Sequence, residues 1–253
     1  MPLARADLES LLRARRLDRT LTTAIAAPDP HDDTAVVPTR VTALDAYLGG
    51  GFPRGQLSEL IGPRSSGRTS VLLQAMAAAT GRGELVGLVD ALDMFDVESA
   101  VAAGIDLDRV LWIRGHVVTN PGMCRDLNQR ALEQVVRSFA LVLQAGNFGL
   151  VVFDIADAPG DAVRRLPFTT WLRLQRMVEG SQTACVLVGS DTMARSSAGV
   201  TVRAGQREEG RGHVGPRFGT RLFEGLDAGA VAIRAHARPQ HYAPAAFRTS
   251  CHG

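Results

Sequence analysis

Two glycines separated by four residues, and a threonine just after them, form the pattern in this chain that could do chemistry. They are Gly62, Gly67 and Thr69. An apolar run precedes them at residues 57–61, and an alanine-rich run typical of a helix follows at residues 71–79. A strand, a glycine loop and a helix in this order favour phosphate binding, because backbone N–H groups and the positive end of the helix converge on an anion. The candidate loop consists of Gly62, Pro63, Arg64, Ser65, Ser66, Gly67, Arg68, Thr69 and Ser70.

The loop departs from the usual pattern at Arg68, which stands where phosphate-binding loops carry lysine. Arginine is bulkier, planar and forked, so the exchange is not conservative at a tight site. A second explanation stays open. The chain has 28 basic residues and all of them are arginine, so Arg68 could reflect a general preference for arginine.

Two carboxylates follow apolar runs that are typical of buried strands. Asp154 follows residues 148–153, and Asp90 follows residues 85–89. The loop resembles those of phosphate-loop enzymes, and this resemblance implies that Asp154 matches their Walker B carboxylate, which holds Mg²⁺, and that the hydroxyl of Thr69 would hold the same ion.

The apolar pattern alternates between short strand-like runs and helical runs. Strands are predicted near residues 57–61, 85–90, 110–113, 148–154, 184–189, 199–204 and 228–237. Helices are predicted near residues 42–48, 71–79, 97–103, 125–145 and 167–179. Strands that alternate with helices predict an α/β fold: a phosphate-loop core with a mostly parallel, doubly wound sheet flanked by helices.

The pattern divides the chain into three parts. Residues 1–35 hold a short amphipathic helix, near residues 8–17, and a proline-rich linker. Residues 36–238 form the core. Residues 239–253 have no periodicity and are expected to form an extended or mobile tail.

The composition argues against a membrane-spanning, a secreted or a metal-binding protein. The apolar fraction of 45% is sufficient for a full core, and no run reaches the roughly 18 apolar residues of a membrane span. The N-terminus lacks the apolar region of a secretory signal, so we expect a cytoplasmic protein. The three cysteines have no metal-ligand spacing, which predicts no metal site and a reduced core thiol at Cys185.

Several separated motifs resemble the core of the bacterial RecA recombinase. They are Thr-Ala-Leu-Asp at residues 42–45, the triple glycine at 49–51, Phe-Pro-Arg-Gly at 52–55, Glu59, the loop at 62–69 and Gly-Ile-Asp at 104–106. The likeness covers about residues 36–205 and implies a RecA-like ATPase core with an N-terminal helix and a C-terminal extension.

The resemblance also shows what is missing. It places Leu92 where RecA has a catalytic glutamate, and Ser190 where RecA has the glutamine that senses the γ-phosphate. The segments that match the DNA-binding loops are short, at residues 155–166 and 191–198. We therefore expect no catalytic residues, no significant hydrolysis, no resident cofactor and at most weak binding of ATP and Mg²⁺.

Two interpretations of the loop remain. Arg64 and Arg68 could form salt bridges with Asp154 or Asp90 and so fill the empty site. Alternatively, Arg68 still holds phosphate and Asp93 or Glu98 supplies the base, which would make the chain an active RecA-type, DNA-dependent ATPase and recombinase paralogue.

A RecA-like core with short loops, an N-terminal helix and an arginine-rich extension resembles the ImuA family of the bacterial SOS mutagenesis cassette. The resemblance implies an accessory protein of the DNA-damage response and translesion synthesis. It implies an ImuB-type Y-family polymerase homologue as the partner, an error-prone C-family polymerase through that complex, and RecA as a further partner. Contact with DNA is expected to be weak or indirect, and no membrane is involved.

The C-terminal extension interleaves aromatic and arginine side chains, which are frequent at interface hot spots. The candidate partner-binding residues are Arg217, Phe218, Arg221, Phe223, Arg234, Arg238, Tyr242, Phe247 and Arg248. Some of these rings could instead close the core, Phe223 in particular. A third interpretation is a single-strand-binding module in which the rings stack on bases.

Overall fold

The structure, a computed structural model, describes residues 35–117, 125–194, 199–205, 225–235 and 245–250 of the chain. The chain divides into two units, residues 1–32 and 33–253, and every described residue belongs to the second unit. The helix predicted near residues 8–17 lies outside the described residues.

The described elements follow the predicted alternation. The strands are β1 (Val36–Val37), β2 (Phe52–Pro53), β3 (Leu57–Ile61), β4 (Leu85–Asp90), β5 (Val110–Arg114), β6 (Phe148–Asp154), β7 (Ala184–Gly189), β8 (Val200–Gly205), β9 (Gly225–Ala235) and β10 (Ala245–Ser250). The helices are α1 (Thr42–Leu48), α2 (Arg68–Gly81), α3 (Val97–Ala102), α4 (Arg125–Ala145), α5 (Gly160–Arg165) and α6 (Phe168–Val178), with a short 3-10 helix at Leu107–Arg109.

Eight of these strands form one sheet in the order β10-β9-β8-β3-β7-β6-β4-β5, and β1 pairs with β2 separately. Every neighbouring pair from β8 to β5 is parallel. β9 and β10 add antiparallel strands on one side. The predicted fold class, a mostly parallel sheet flanked by helices, is confirmed. The loops after β3, β4, β6 and β7 therefore leave the sheet at the same edge, where open α/β sheets bind ligands.

Both faces of the parallel sheet are covered, which explains the nearly continuous apolar runs. All residues of β3 and β7 are buried. On one face Leu60, Val152 and Val186 belong to a core cluster with the residues of α2. On the other face Phe153 and Leu187 belong to a cluster with α4 and α6. Alternate residues of each strand thus serve opposite faces, as the two-residue period of a strand requires.

The buried strands also account for the predicted state of one cysteine. Cys185 of β7 is free and fully buried, and burial raises the pKa of its thiol. This side chain therefore serves as a small apolar core residue, as the sequence predicted.

The triple glycine ends α1 and brings the chain against β1. Gly49 is left-handed, with φ 76°, and its N–H bonds to the carbonyl of Asp45. Gly51 has φ 143°, and a Cβ at this position would lie 2.1 Å from the carbonyl oxygen of Val37. Only glycine allows the two backbones to approach this closely.

The C-terminal part of the chain differs from the expectation. Residues 245–250, which the sequence placed in an extended or mobile tail, form the edge strand β10 and pair with β9 in register, as between Phe247 and Ala228. β9 is therefore an internal strand, between β8 and β10. The sequence of β10 alternates weakly, so pairing with β9, rather than local pattern, specifies it.

Candidate functional site

The glycine loop at residues 62–67 joins β3 to α2 and has the backbone that its sequence predicts. Ser65 and Gly67 are both left-handed, with φ 58° and 84°. A Cβ on Gly62 would lie 2.4 Å from the carbonyl oxygen of Ala204 and 2.7 Å from the Ser66 hydroxyl. The two glycines are thus required by close packing and by backbone conformation, and the strand–loop–helix geometry is intact.

The side chain of Arg68 lies inside this loop. It is only 7% exposed. Its Nη1 donates a hydrogen bond to the carbonyl oxygen of Gly62, where the loop begins. Its Nη2 lies 3.4 Å from Oδ1 of Asp157. The guanidinium therefore bridges the start of the loop and a carboxylate that follows β6.

Arg64 reaches the same carboxylate from the outside of the loop. Its side chain is 72% exposed, and its Nε donates to Oδ1 of Asp157 at 3.0 Å. The sequence hypothesis that both arginines pair with a carboxylate is thus correct in kind. It is wrong in the partner, because both ion pairs are with Asp157 and neither is with Asp154 or Asp90. Asp157 lies three residues beyond the strand end, where the apolar pattern gives no information on side-chain direction.

Asp154 ends β6 at the ligand-binding edge of the sheet, as predicted. Its Oδ1 accepts a hydrogen bond from the N–H of Ala156 at 3.0 Å. Burial raises the pKa of Asp154 to about 6, and the charges of Asp90 and Asp157 act in the same direction. The N–H of Ala156 and the charge of Arg68 oppose this rise. The charges of Asp90, Asp157 and Arg68 thus all act on the carboxylate of Asp154.

Asp90 has a structural role at the end of β4. It is buried, and its two oxygens accept the N–H groups of Leu92 at 3.2 Å and Phe95 at 2.8 Å. These bonds hold the turn that leads from β4 towards α3. Both oxygens of this carboxylate are therefore used by the backbone.

Leu92 stands at the position of the catalytic glutamate in the resemblance, and Asp93 and Glu98 are the two alternatives for the base. Leu92 is half-buried and packs against the core cluster below α4. Asp93 is left-handed, with φ 59°, and both of its oxygens bind Arg114, at 2.6 and 2.7 Å. The hydrogen bond from Arg114 lowers the pKa of Asp93. Glu98 is exposed in the first turn of α3. Asp93 is thus committed to an ion pair and points to a surface arginine.

The loop after β7 is held by a carboxylate that the sequence did not identify as a functional group. Glu59, in the middle of β3, is 1% exposed. It accepts the N–H groups of Met193 at 2.8 Å and Ala194 at 2.7 Å, and the hydroxyl of Thr201 at 2.8 Å. The signal was a charged residue within an apolar strand. Ser190, at the predicted γ-phosphate sensor position, is exposed at the start of this loop.

The site retains part of the set that holds a nucleotide with Mg²⁺. The exposed Thr69 and the carboxylate of Asp154 match the two Mg²⁺ positions. The guanidinium of Arg68, however, directs its donors at protein acceptors in the loop. The residues in this arrangement therefore do not fit a nucleoside triphosphate. Within the described ranges, no three His, Cys, Asp or Glu side chains are grouped to hold a metal ion.

Most of the candidate partner-binding residues lie outside the described residues, so their surface remains a prediction. The backbone of Arg234 is in β9, and those of Phe247 and Arg248 are in β10, with side chains outside the description. The remaining candidates lie outside the described residues: Arg217, Phe218, Arg221, Phe223, Arg238 and Tyr242. None of the helices in the described ranges has the length and hydropathy of a membrane span.

Comparison with known proteins places the chain. A family model described as the RecA N-terminal domain matches residues 23–154, just over half of the 253 residues. Protein RecA of Salinispora tropica is 45% identical over 130 residues, and Protein RecA of Clavibacter michiganensis subsp. michiganensis is 37% identical over 131 residues. Both matches cover 51% of this chain, and they cover 33% and 32% of the two relatives. The chain thus spans about a third of the length of the curated relatives it matches.

The fold has a similar solved structure. The crystal structure of the RadB recombinase superposes with a TM-score of 0.55 at 21% identity, covering 81% of this chain and 92% of that one. At this identity the likeness shows the fold, which is RecA-like. Because the family model matches more than half of its residues, the chain belongs to the RecA N-terminal domain family.

Proposed function

We propose that this chain is a RecA-like adaptor without ATPase activity that acts in SOS mutagenesis and translesion DNA synthesis. It binds an ImuB-type Y-family polymerase homologue through protein contacts, reaches an error-prone C-family polymerase through that complex, and binds RecA as a further partner. In this proposal the family fold is kept as a scaffold, and its nucleotide chemistry is lost.

The observation that carries the proposal is the position of Arg68. Its guanidinium is buried in the loop and bound to Gly62 and Asp157. A phosphate group would have to displace these contacts before it could use the loop. A guanidinium is also larger than an ammonium and planar, so it is not interchangeable with lysine at a tight site. ATP and Mg²⁺ therefore bind weakly at most.

The surrounding residues support the same proposal. Leu92 has no group that could orient or deprotonate water. Half of the segment after β6 lies in α5, and Glu59 binds the backbone of Met193 and Ala194 in the segment after β7. These two segments are where the RecA resemblance places the DNA-binding loops. The two segments are short in the sequence, and their described residues leave little free chain to enclose a DNA strand.

The partner proposal rests on the resemblance and on the composition of the C-terminal extension. Its arginine and aromatic side chains have the composition of an interface hot spot. Since β10 belongs to the sheet, removal of all residues after 238 would also remove an edge strand. Point substitutions outside the strands are therefore the cleaner test of partner binding.

One observation favours the alternative, a RecA-type DNA-dependent ATPase. Thr69 is exposed at the start of α2, and Asp154 is ionisable with a pKa of about 6, so both Mg²⁺ positions remain chemically competent. In this alternative a nucleotide displaces Asp157 and recruits Arg68 to its phosphates. Asp93 would also have to leave Arg114 to act as a base.

Phosphate release from ATP separates the two functions. The full chain is incubated with ATP and Mg²⁺, with and without single-stranded DNA, beside Asp154→Asn and Thr69→Ala. The adaptor proposal expects the same background rate in all samples. Turnover that single-stranded DNA stimulates and that either substitution abolishes would refute it.

Co-purification tests the partner. The full chain and an Arg217→Ala/Arg221→Ala variant are each mixed with an ImuB-type polymerase homologue, at low and high salt. An Arg130→Ala/Arg173→Ala variant is the matched control, because both arginines are exposed, on α4 and α6, and lie outside the C-terminal extension. The adaptor proposal expects loss of binding only in the first variant. Binding of single-stranded DNA that falls steeply with salt would favour the nucleic-acid module instead.

A further inference from the structure

We infer that Asp157 is an autoinhibitory carboxylate that closes the glycine loop by taking the place of an anion between Arg64 and Arg68. This inference rests on the proposed function in one respect: it takes the wild-type loop to be closed to nucleotide. It adds which residue closes the loop and which change would open it.

One carboxylate oxygen of Asp157 forms both ion pairs that close the glycine loop. Oδ1 of Asp157 lies 3.0 Å from Nε of Arg64 and 3.4 Å from Nη2 of Arg68. Both arginines belong to the loop and helix start that follow β3, whereas Asp157 follows β6. Because β7 lies between β3 and β6 in the sheet, these ion pairs cross the end of β7. The carboxylate thus links two loops over the edge where a ligand would enter.

The chemistry of the contact is that of anion binding. Guanidinium groups bind carboxylate and phosphate oxygens through the same charge-assisted hydrogen bonds. Here the buried guanidinium has its second contact with the carbonyl of Gly62, and the exposed guanidinium covers the outside. An anion from solvent must therefore compete with a carboxylate that is already tethered in place. A tethered group competes at a high effective concentration.

The neighbouring charges act in the same direction. Asp154 and Asp90 lie at adjacent strand ends, and the charge of Asp157 contributes to the raised pKa of Asp154. Asp157 therefore adds a third negative charge to the approach of any phosphate. Its removal would free two guanidiniums and reduce the repulsion at once, while the loop backbone remains as it is.

The test is binding of inorganic pyrophosphate and of ATP by titration calorimetry, without Mg²⁺ and with it. Asp157→Asn is compared with the wild-type chain and with Asp161→Asn. Asp161 is a matched control, since its carboxylate also lies between two arginines, Arg125 at 3.5 Å and Arg165 at 3.1 Å, and it makes the same change in net charge. Thermal unfolding of each variant verifies that the fold is kept.

The expected result is a gain of about tenfold or more in affinity for pyrophosphate in Asp157→Asn, with no gain in Asp161→Asn. An equal gain in both variants would assign the effect to net charge and overturn the inference. No gain in a folded Asp157→Asn would overturn it too, and would leave the adaptor proposal standing. Wild-type chain that binds ATP as tightly as Asp157→Asn also overturns it, whereas only stimulated turnover of ATP refutes the adaptor.

Discussion

The buried carboxylate of Glu59 offers a direct test of how firmly the loop after β7 is held. It accepts hydrogen bonds from the backbone of Met193 and Ala194 and from the hydroxyl of Thr201. Glu59→Ala leaves these buried donors without an acceptor, and each such donor costs about 1–3 kcal/mol. Thr201 can rotate its hydroxyl, so we expect a loss of about 3–5 kcal/mol in the free energy of unfolding. Glu59→Gln keeps an acceptor oxygen and is expected to cost about 1 kcal/mol.

Urea unfolding at pH 7 measures these losses, and hydrogen exchange measures the amides of Met193 and Ala194 directly. Glu98→Gln is the control, since Glu98 is exposed on α3 and its change should stay within about 0.5 kcal/mol. A loss below about 1 kcal/mol for Glu59→Ala, with unchanged exchange at the two amides, would refute the reasoning. The loop would then be held by other contacts.

Three further substitutions test the sheet and the site. Asp154→Asn is expected to stabilise the chain at pH 7 by about 1–3 kcal/mol. The reason is that the carboxylate has a pKa of about 6 in the folded chain against its ordinary 3.8, so the stability of the wild-type chain falls as the pH rises from 3.8 to about 6. Urea unfolding at pH 4 and pH 7 measures the change. Phe153→Ala removes a ring stacked 4.7 Å from that of Phe139 and should cost about 3–5 kcal/mol in the same assay. Gly51→Ala should lower the midpoint of thermal unfolding, with a cost of about 1–3 kcal/mol, because its Cβ would lie 2.1 Å from the oxygen of Val37.

Each of these has a result that contradicts it. An Asp154→Asn variant that is less stable at pH 7 than at pH 4, relative to wild type, would mean that the carboxylate is not penalised by burial. A small loss for Phe153→Ala would place the ring outside the core. For Gly51→Ala the control is Gly146→Ala, where φ is 65° but no atom lies within 4 Å of the new Cβ. Equal losses of stability at the two glycines would mean that the positive φ angle alone, and not the close contact with Val37, causes the loss at Gly51.

The fold could be predicted because the buried strands are recognisable in the sequence. The runs at β4, β6 and β7 are apolar at nearly every position, which only a sheet covered on both faces requires. The loop could be predicted for a similar reason, since its glycines are fixed by close approach and by positive φ. Strand burial and glycine conformation are local requirements, so the local sequence pattern is sufficient to predict them.

The contacts of the site depend on distant residues and could not be predicted in the same way. Asp157 lies three residues beyond the end of β6, where a shift of one residue changes the direction of a side chain. Asp154 is the last residue of β6, so its position could be predicted from the strand pattern. β10 was missed because its residues alternate weakly and its strand exists through pairing with β9. In the sequence, Glu59 stands out only as part of the resemblance to RecA. Its role depends on Met193 and Ala194, more than a hundred positions later.

The structure also bears on why arginine stands at position 68. A preference for arginine across the chain accounts for arginine rather than lysine at this position. It does not account for the direction of the side chain, whose two terminal nitrogens contact Gly62 and Asp157 at the same time. A lysine has one terminal nitrogen on a flexible stem and lacks the planar fork that spans two acceptors. The arginine and the aspartate thus depend on each other: without Asp157 the fork would lose its second acceptor, and without the fork the carboxylate would keep only its exposed ion pair with Arg64.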